Sequence, residues 1–485
     1  MFYYLSQVPE WLSAQGHAGW ADWLSGLRVF QYITFRAAGA AVTALLLCLW
    51  LGPYVIDWLR GLRVRQEYED RAREIGDFKS NDSITKVGVP TMGGLLIVGA
   101  IDLTALLWAQ WNPLVTLTLL AVLILCLLGF YDDYSKISSQ RNGGLTGVSK
   151  LLVQIALALF IGIYLWKFPV NSQIFMACDT QVHPPSDKYR FTEKTANGFV
   201  SASFQDGQKR FQLAMADHRV RDGVTFRSDG SEASRIREGT GKLIFYNSSG
   251  GKEAEQVYRD GELITHKQWV PHNLISSIMV PFSKHPVLIG VGLIGVLLTI
   301  LVVVGSSNAV NLTDGLDGLA IGSTIIVSIV FLMLTYIVGH SELASYLNVP
   351  HVIGAGELTI VCAALVGACL GFLWFNCHPA QVFMGDTGSL ALGGLLGIFA
   401  VLIHQPFILV IAGGVFVIEA MSVMLQWGWF KYTRISGGEG KRLFEMAPWH
   451  HHFQKKGWHE NKVVVRFYIL GVMFAVLALA TLKLR

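Results

Sequence analysis

Charged residues are scarce in this sequence. Lys, Arg, Asp and Glu together make up 15% of its 485 residues, whereas a soluble domain has about 25%. The formal net charge is only +4, which does not indicate a polyanionic partner such as a nucleic acid. Hydrophobic residues make up 52% of the chain. This composition excludes a set of soluble domains and a disordered chain, and it indicates an integral membrane protein.

Cysteine is also infrequent. The chain has no CxxC pair and no regular cysteine spacing, and its six cysteines are Cys48, Cys126, Cys178, Cys362, Cys369 and Cys377. Neither a metal cluster nor a disulfide framework is therefore indicated. A cleavable signal peptide is not expected either, because residues 1–23 mix polar and apolar side chains without a continuous apolar stretch.

Long hydrophobic runs are what the sequence has instead. Ten of them are long enough to cross a bilayer, at residues 37–59, 90–108, 113–130, 150–166, 286–304, 318–339, 352–375, 388–403, 405–427 and 463–482. Each should be a helix, because backbone groups in lipid must form their hydrogen bonds within the segment. The expected fold is an all-α polytopic membrane protein with about ten transmembrane helices. The break at residues 404–406 is the least sharply marked.

The distribution of Lys and Arg predicts the topology. Of the loops between the ten runs, loops 1 and 9 contain seven Lys or Arg each and loop 3 contains two. The short loops at 109–112, 340–351 and 404 contain none. Because positively charged loops remain in the cytoplasm, we expect loops 1, 3, 5, 7 and 9 to be cytoplasmic and both termini to be periplasmic.

Loop 4, at residues 167–285, is long and polar. It contains four Asp-Gly pairs, starting at 206, 222, 229 and 260, and Asp-Gly is typical of hairpin turns. The runs at 242–246 and 256–259 have strand character, and residues 239–269 loosely resemble MORN-type hairpin repeats. We predict a periplasmic β-rich insertion at 169–273, between helices 1–4 in residues 1–168 and helices 5–10 in residues 274–485.

Loop 3 opens with a pair of carboxylates. Asp132 and Asp133 are followed by Lys136, and two adjacent carboxylates at a membrane boundary are costly unless a cation is near. Neighbours on a helix point about 100° apart, so the two should have different tasks. The alternative interpretation is a solvated helix end.

Loop 5 places amides and carboxylates at three-residue steps: Asn308, Asn311, Asp314 and Asp317. A glycine after each Asp lets backbone approach a ligand closely. Oxygen ligands without His or Cys suit Mg²⁺. A helix N-cap at one Asp is the alternative, and it explains one residue of the set.

The remaining polar motifs lie in loops 7, 9 and 1. Loop 7 contains Asn376, Phe383 and Asp386. Asp386 is either a ligand or an ordinary helix N-cap. Phe383 is either a platform for a flat ring or an interfacial aromatic residue. Loop 9 contains three consecutive histidines, His450–His452, which suit phosphate or sugar contacts better than zinc. Lys86 of loop 1 precedes a Gly-rich segment. Together these loops offer carboxylates, lysines and imidazoles on one face, which favours Mg²⁺-assisted chemistry on phosphates.

Four segments then carry a resemblance to a known family. DDYSK at 132–136, NAVNLTDGLDGLA at 308–320, FMGDTGSLALGG at 383–394 and APWHHHFQKKGW at 447–458 resemble the signatures of phospho-N-acetylmuramoyl-pentapeptide transferases, or translocase I. That family belongs to the polyprenyl-phosphate sugar-1-phosphate transferase superfamily. The resemblance covers roughly residues 37–482 without loop 4. The acidic motifs are shared across the superfamily, and the His-rich motif points to the muramoyl-pentapeptide branch.

The resemblance implies a reaction, a cofactor and a place. Members transfer phospho-MurNAc-pentapeptide from its UDP conjugate to undecaprenyl phosphate in the presence of Mg²⁺, giving lipid I and UMP at the cytoplasmic face of the bacterial inner membrane. The implied partners are the two substrates and the lipid bilayer, with no nucleic acid. A homodimer and a periplasmic partner of the insertion stay open.

The resemblance also implies residue roles. Asp386 matches the magnesium ligand, and Asp132 matches a residue proposed to deprotonate the lipid phosphate, with Asp133 and Lys136 beside it. A phosphate monoester has a second pKa of about 6 and is mostly dianionic at neutral pH, so Asp132 has either that role or a metal-holding and positioning role. The implied substrate contacts are Lys86, Lys150, Asn308, Asn311, Asp314, Asp317, Asn376 and Phe383, with Phe383 as the uracil platform. The histidines His450, His451 and His452 match further active-site positions.

Two features depart from the family pattern. Loop 4 is short in typical members, and Trp449 replaces the usual aliphatic residue before the histidines. Three alternatives remain at this point: a superfamily relative that uses UDP-GlcNAc or a similar sugar, a transporter or flippase with buried carboxylates such as Glu419, and an anchor for loop 4. The clustering of polar motifs on one face argues against a transporter, and ten spans exceed what an anchor needs.

Overall fold

The computed structural model describes residues 1–61, 89–138, 144–168, 173–179, 196–204, 207–248, 252–283 and 286–482. Within them the chain forms two compact units. One contains Met1–Ser172, Leu274–Gly339 and Ile353–Arg485, and the other contains Gln173–Asn273 and His340–Val352. The first unit is helical and the second is a β-sheet with one short helix.

The helical unit begins with short helices and continues with long apolar ones. A 3₁₀ helix, Ser25–Gln31, follows the three short helices. In chain order the described helices are α1 (Phe2–Leu5), α2 (Val8–Ala14), α3 (Ala18–Trp23), α4 (Ile33–Gly61), α5 (Gly94–Trp108), α6 (Pro113–Ser138), α7 (Gly147–Lys167), α8 (Gly292–Thr313), α9 (Leu319–Gly339), α10 (Ser341–Tyr346), α11 (Gly356–Asn376), α12 (Gly385–Leu402), α13 (Pro406–Ala412), α14 (Gly414–Gly437), α15 (Trp449–Lys455) and α16 (Glu460–Ala480). Each of the ten predicted runs overlaps at least one of these helices.

Eight of the described helices are long and apolar enough to cross a membrane. A ninth candidate is the pair α13 and α14, whose axes are bent by 84° at a short break, and α5 is apolar but has only 15 residues. The prediction of one continuous helix over 405–427 is therefore wrong. Gly413 and Gly414 stand at the break, and glycine is the residue that least resists a bend of this size. The chain is a multi-pass membrane protein.

The centre of the helical unit is formed by α11 and α12. In their most apolar windows 83% and 89% of the residues are buried. Close backbone packing brings other helices to the start of α12: a Cβ on Gly94 of α5 would collide with the backbone of Gly388, and one on Gly129 of α6 would collide with the backbone of Asp386. Small residues allow this approach in membrane helices. The α12 start is thus held between α5 and α6.

The β unit is a single antiparallel sheet of nine described strands. The strands are β1 (Gln173–Asp179), β2 (Gly198–Ser203), β3 (Lys209–Ala216), β4 (Arg219–Phe226), β5 (Glu232–Arg237), β6 (Thr240–Tyr246), β7 (Lys252–Arg259), β8 (Glu262–Asn273) and β11 (His351–Val352). Their order in the sheet is β11-β1-β8-β7-β6-β5-β4-β3-β2. The short strands β9 (Ser277–Ile278) and β10 (Leu288–Ile289) pair with each other and belong to the helical unit. One face carries an apolar core that includes Phe211, Leu213, Leu243 and Phe245. This confirms a separate β-rich domain.

The turns of the sheet follow the Asp-Gly prediction in part. Asp229-Gly230 joins β4 to β5, and Asp260-Gly261 joins β7 to β8 with positive φ at both residues, as a type I′ turn requires. The prediction of a turn at Asp222-Gly223 is wrong, because this pair lies inside β4 and Gly223 pairs with Ile236. Asp206 lies outside the described residues. Strand β11 joins the sheet from the segment between α9 and α11, which the sequence did not indicate.

Candidate active site

Asp132 and Asp133 lie at the end of α6 and point to different partners. The carboxylate of Asp132 is buried, and its Oδ1 accepts a hydrogen bond of 2.8 Å from the amide of Leu145. Its Oδ2 lies 2.6 Å from Lys136 Nζ and 3.1 Å from Lys150 Nζ. Two lysines therefore provide the cations that adjacent carboxylates at a helix end require.

Asp133 holds the first turn of α12. Its Oδ2 accepts hydrogen bonds from the amide of Thr387 at 3.0 Å and the Thr387 hydroxyl at 2.7 Å, and its Oδ1 lies 3.4 Å from the amide of Asp386. The first amides of a helix have no partner within the helix and attract a negative charge. A carboxylate from α6 thus caps α12. The alternative interpretation of Asp386 as an N-cap is wrong, because Met384 occupies that position and Asp386 lies in the first turn.

Asp386 turns its carboxylate toward the lysines. Its Oδ2 lies 2.8 Å from Lys150 Nζ and 3.4 Å from Lys136 Nζ. Both lysines thus bridge Asp386 and Asp132, so residues from loop 3, the start of α7 and loop 7 meet in one cluster. We call Asp132, Asp133, Asp386, Lys136 and Lys150 the acidic cluster.

The three carboxylates of the acidic cluster fit a divalent cation. One oxygen from each lies within 4.8 Å of the others, and carboxylate oxygens are the ligands that Mg²⁺ prefers. A second group of the described residues, Asp317, His378 and Glu460, meets the same distance criterion. Its carboxylates and ring nitrogen contact one another and nearby backbone amides, as described below, so it is a hydrogen-bonded network.

Loop 5 contributes two hydrogen bonds and a carboxyl group with a raised pKa. Asn311 Oδ1 accepts a 2.9 Å hydrogen bond from Ser389 Oγ, one turn beyond the start of α12. The side-chain Nδ2 of Asn308 donates to Gln154 Oε1 of α7 at 2.8 Å, so Asn308 joins α8 to α7. Burial and the charges of Asp386, Asp133 and Asp317 raise the pKa of Asp314 to about 8. Asp314 therefore belongs to the electrostatic environment of the acidic cluster.

Asp317 and Asn376 join loop 5 to loop 7. Asp317 is buried, and its Oδ2 contacts His378 Nδ1 at 2.9 Å and the amide of Ala380 at 3.3 Å. Asn376 Oδ1 accepts a 3.1 Å hydrogen bond from the amide of Gly318. The predicted substrate contacts Asp317 and Asn376 are thus adjacent, and both are engaged with protein groups.

Phe383 is held by its backbone. Its amide donates to Pro90 O at 2.8 Å, and its carbonyl accepts from the amide of Gly93 at 2.9 Å. The side chain is half-buried, three residues before Asp386. The position is compatible with a platform beside the acidic cluster. Lys86, the other predicted uridine contact, lies outside the described residues.

The three histidines of α15 point to different neighbours. His450 is fully buried and its Nδ1 lies 3.1 Å from Glu419 Oε2. A Cβ on Gly315 would collide with His450 and contact His451 Nε2, so both rings lie against loop 5. His452 turns away: its Nδ1 accepts from the amide of Glu445 at 3.1 Å, and burial and Lys456 lower its pKa.

Four residues of this region were missed by the sequence reasoning or given another role. Thr387 and His378 are ordinary polar residues inside a predicted motif, and Glu460 begins the last span. Glu419 was considered only as a transporter feature. No local pattern marks them, since each contacts a residue that is at least 31 positions away in the chain.

The fold and the acidic cluster define a class: a multi-pass membrane protein with carboxylates and lysines gathered at helix ends. Residues 268–404 match the model of glycosyl transferase family 4. Over nearly its whole length the chain is similar to proteins named phospho-N-acetylmuramoyl-pentapeptide-transferase. It is 41% identical to that of Desulfotalea psychrophila, over 95% of this chain and 96% of the relative. Identity is 39% to that of Methylacidiphilum infernorum (96% and 98%) and 37% to that of Neisseria meningitidis serogroup A (96% and 99%).

The chain belongs to the phospho-N-acetylmuramoyl-pentapeptide-transferase family. This confirms the family that the four sequence motifs indicated. Membership of this family argues against the alternative interpretations of the chain as a transporter or as an anchor for loop 4.

Proposed function

We propose that the protein transfers phospho-MurNAc-pentapeptide from UDP-MurNAc-pentapeptide to undecaprenyl phosphate, giving lipid I and UMP in peptidoglycan synthesis. The observation that supports this function is the acidic cluster in a chain that matches the transferase family over nearly its whole length. Phosphoryl transfer mainly requires that phosphates be positioned and their charge be neutralised. Carboxylates with two lysines supply these needs once a cation is present.

We assign Mg²⁺ as the cofactor and Asp386 as its ligand, with Asp132 and Asp133 beside it. Their close carboxylate oxygens and the absence of Cys from the group support a hard cation. When bound, Mg²⁺ neutralises phosphate charge and polarises a phosphoryl oxygen. Asp133 already accepts hydrogen bonds from Thr387 and so keeps Asp386 in place at the start of α12.

The lysines and histidines act on the phosphates and the sugar in this proposal. Lys136 and Lys150 reach Asp386 within 3.4 Å, so they lie where a substrate phosphate near the cation would meet them. Asp132 holds both lysines, and we assign it this positioning role because the lipid phosphate is already mostly dianionic at neutral pH. His450 and His451 lie against the loop that carries Asp314.

We place the site at the cytoplasmic face of the bacterial inner membrane. The support is the distribution of Lys and Arg, which are concentrated in the loops that carry the polar motifs. The UDP-linked substrate is then available from the cytoplasm, and the lipid substrate enters from the bilayer.

A radiolabelled transfer assay tests the function. Purified protein in detergent is supplied with labelled UDP-MurNAc-pentapeptide and undecaprenyl phosphate, with Mg²⁺ or with EDTA. We expect labelled lipid and UMP with Mg²⁺ and neither product with EDTA. UDP-GlcNAc replaces the UDP-sugar in a matched reaction. Transfer from UDP-GlcNAc but not from UDP-MurNAc-pentapeptide would assign the protein to the hexosamine branch. Equal transfer in EDTA would show that the reaction does not require a metal ion.

A further inference from the structure

Glu460 and His378 both contact Asp317, and neither the motifs nor the acidic cluster explain these contacts. Glu460 stands in the first turn of α16, and its Oε1 accepts a 2.8 Å hydrogen bond from the backbone amide of Asp317. Its other oxygen lies 3.7 Å from His378 Nδ1. The same nitrogen lies 2.9 Å from Asp317 Oδ2. One imidazole thus stands between two buried carboxylates from different parts of the chain.

The chemistry of this arrangement fixes the tautomer of His378. A carboxylate oxygen is an acceptor, so the ring nitrogen that faces Asp317 and Glu460 must carry a hydrogen. Two buried carboxylates this close are costly unless a donor or a cation lies between them. Asp317 and Glu460 are only 4% and 5% exposed. His378 therefore donates a hydrogen bond to Asp317, and the Glu460 carboxylate lies 3.7 Å from the same nitrogen.

The contact also engages the carboxylate of Asp317. Its Oδ2 accepts from the His378 ring and from the amide of Ala380. Next to it, Gly318 contacts loop 7 and α16: its amide donates to Asn376 Oδ1 at 3.1 Å, and its carbonyl accepts from the Tyr468 hydroxyl at 2.7 Å. The carboxylate of Asp317 is therefore occupied by protein groups, so Asp317 influences the substrate through the position of its loop.

The two joined loops carry the proposed nucleotide contacts. Residues 314–318 include Asp314, and the segment that starts at Asn376 continues to Phe383. Asn376 Nδ2 donates to Val382 O at 2.9 Å, directly before Phe383. Any shift of the loop at Asp317 and Gly318 is therefore passed through Asn376 to the backbone directly before Phe383.

We propose that Glu460 and His378 are positioning residues that hold loop 314–318 against loop 376–383 and thereby set the affinity for the uridine nucleotide of the substrate. The inference rests on the proposed transferase function and deepens it. Neither residue belongs to the acidic cluster, so metal binding and the chemical step should be left nearly intact when the contact is broken.

The test uses variants that remove the contact while keeping side-chain volume. Glu460→Gln keeps an acceptor for the Asp317 amide but removes the charge that faces His378, and His378→Leu removes the ring hydrogen bond. We expect each to raise the KM for UDP-MurNAc-pentapeptide about tenfold, which is the size of one hydrogen bond to a charged group. The kcat and the Mg²⁺ dependence should stay within about twofold of wild type.

The controls separate positioning from a loss of folding. The double variant should be no worse than either single variant, because both remove one shared contact. His378→Gln, which keeps a donor, should restore much of the affinity, and Glu439→Gln, an exposed charge in loop 9, should have no effect. Calorimetric binding of UMP should weaken in parallel with the rise in KM.

Three results would overturn the inference. They are an unchanged KM in Glu460→Gln, a fall in kcat at constant KM together with a lower unfolding temperature, and fully additive effects in the double variant. Failure of the proposed function looks different, since the wild-type protein would then transfer no sugar phosphate. UMP binding by the same variants would still report on the contact in that case.

Discussion

Two adjacent carboxylates at the end of α6 have different tasks because successive helical residues point about 100° apart. Asp132 faces Lys136 and Lys150, whereas Asp133 faces the first turn of α12. The sequence predicted this division without naming the partners. The partner of Asp133 is Thr387, 254 positions away. At the scale of the residue, the direction in which each carboxylate points therefore decides which partner it contacts.

Asp386→Asn should abolish transfer while the protein still inserts and folds. The substitution keeps the size of the side chain but removes the charge that pairs with Lys150 and that we assign to Mg²⁺. Losing such transition-state stabilisation is worth several kcal/mol, so turnover should fall about a hundredfold or more. The measurement is labelled transfer by purified protein at saturating Mg²⁺. Asp57→Asn, an exposed control, should keep normal turnover. Near-normal turnover of Asp386→Asn would show that Asp386 is not the metal ligand.

Phe383→Ala should raise the KM for the UDP-sugar more than it lowers kcat. A stacking platform contributes equally to the ground state and the transition state, which is the signature of uniform binding. Stacking of a base on an aromatic ring is worth about 1–3 kcal/mol, so an effect of roughly tenfold is expected. Steady-state kinetics give both constants, and Phe383→Tyr should behave like wild type. A pure kcat defect would instead indicate a structural role at the acidic cluster.

Asp314 should make the stability of the metal-free protein depend on pH. Its pKa is raised from the ordinary 3.8 to about 8, first by burial and then by Asp386, Asp133 and Asp317. Between these values the folded state holds a proton that the unfolded state has released, so the free energy of unfolding falls as pH rises toward 8. Thermal unfolding in EDTA should show this fall, and Asp314→Asn should flatten it. An equally steep fall in Asp314→Asn would assign the dependence to another group.

At the scale of the element, a buried ion pair joins two of the long helices, α4 and α11. Arg36 of α4 and Glu357 of α11 form two parallel bonds of 2.7 Å, and both residues are buried. Glu357 also accepts a 2.7 Å hydrogen bond from the amide of Gln110. Paired charges at a buried helix contact fix how the two helices face each other, which apolar packing alone specifies less sharply.

Arg36→Met should destabilise the helical unit by about 3–5 kcal/mol, because it leaves the carboxylate of Glu357 buried without its partner. The double variant Arg36→Met/Glu357→Met should recover a large part of this loss, since two apolar side chains replace two charges. Unfolding of the purified protein in detergent measures both. Arg60→Met breaks the exposed pair with Asp57 and should cost less than about 1 kcal/mol. A single variant as stable as Arg60→Met would show that the pair does not hold these helices.

At the scale of the whole molecule, the chain combines a helical unit with a β unit that interrupts it twice. The insertion supplies β1–β8, and the later segment 340–352 supplies β11, which pairs with β1 through Ile174 with Val352 and Phe175 with His351. The residues of the acidic cluster all belong to the helical unit. The β unit thus has its own core and contributes nothing to the cluster.

Removal of the β insertion should leave lipid I synthesis in detergent largely intact. Replacing residues 170–272 with a short Gly/Ser linker tests this, although it also removes the partner of β11. A second variant therefore keeps β1, β11 and residues 267–273 of β8, which are the part of β8 that pairs with β1. It replaces residues 180–266 with Asn-Gly, which joins Asp179 to its partner Lys267 in register. Both should transfer at near wild-type rates. A variant that folds and binds UDP-sugar without transferring it would show that the β unit is coupled to the active site.

How much of this was predictable depends on the range of the interaction. Apolar run length predicted where helices form, and Asp-Gly predicted two of the described turns, because both signals are local. The same signal failed at Asp222-Gly223, where pairing with β5 keeps the residues in a strand. The bend between α13 and α14 was missed because the hydropathy of a run does not indicate a change in the direction of the helix axis.

The sequence by itself determined the membrane class, the family and the candidate residues, since composition, run length and motif spacing are properties of the chain. Tertiary structure alone decided which of those residues meet. Packing of α5 and α6 on the start of α12 brings Asp133 to Thr387, and the position of α16 brings Glu460 to Asp317, 143 residues earlier. Helical periodicity relates positions three or four apart. Contacts across hundreds of residues come instead from how helices pack against each other.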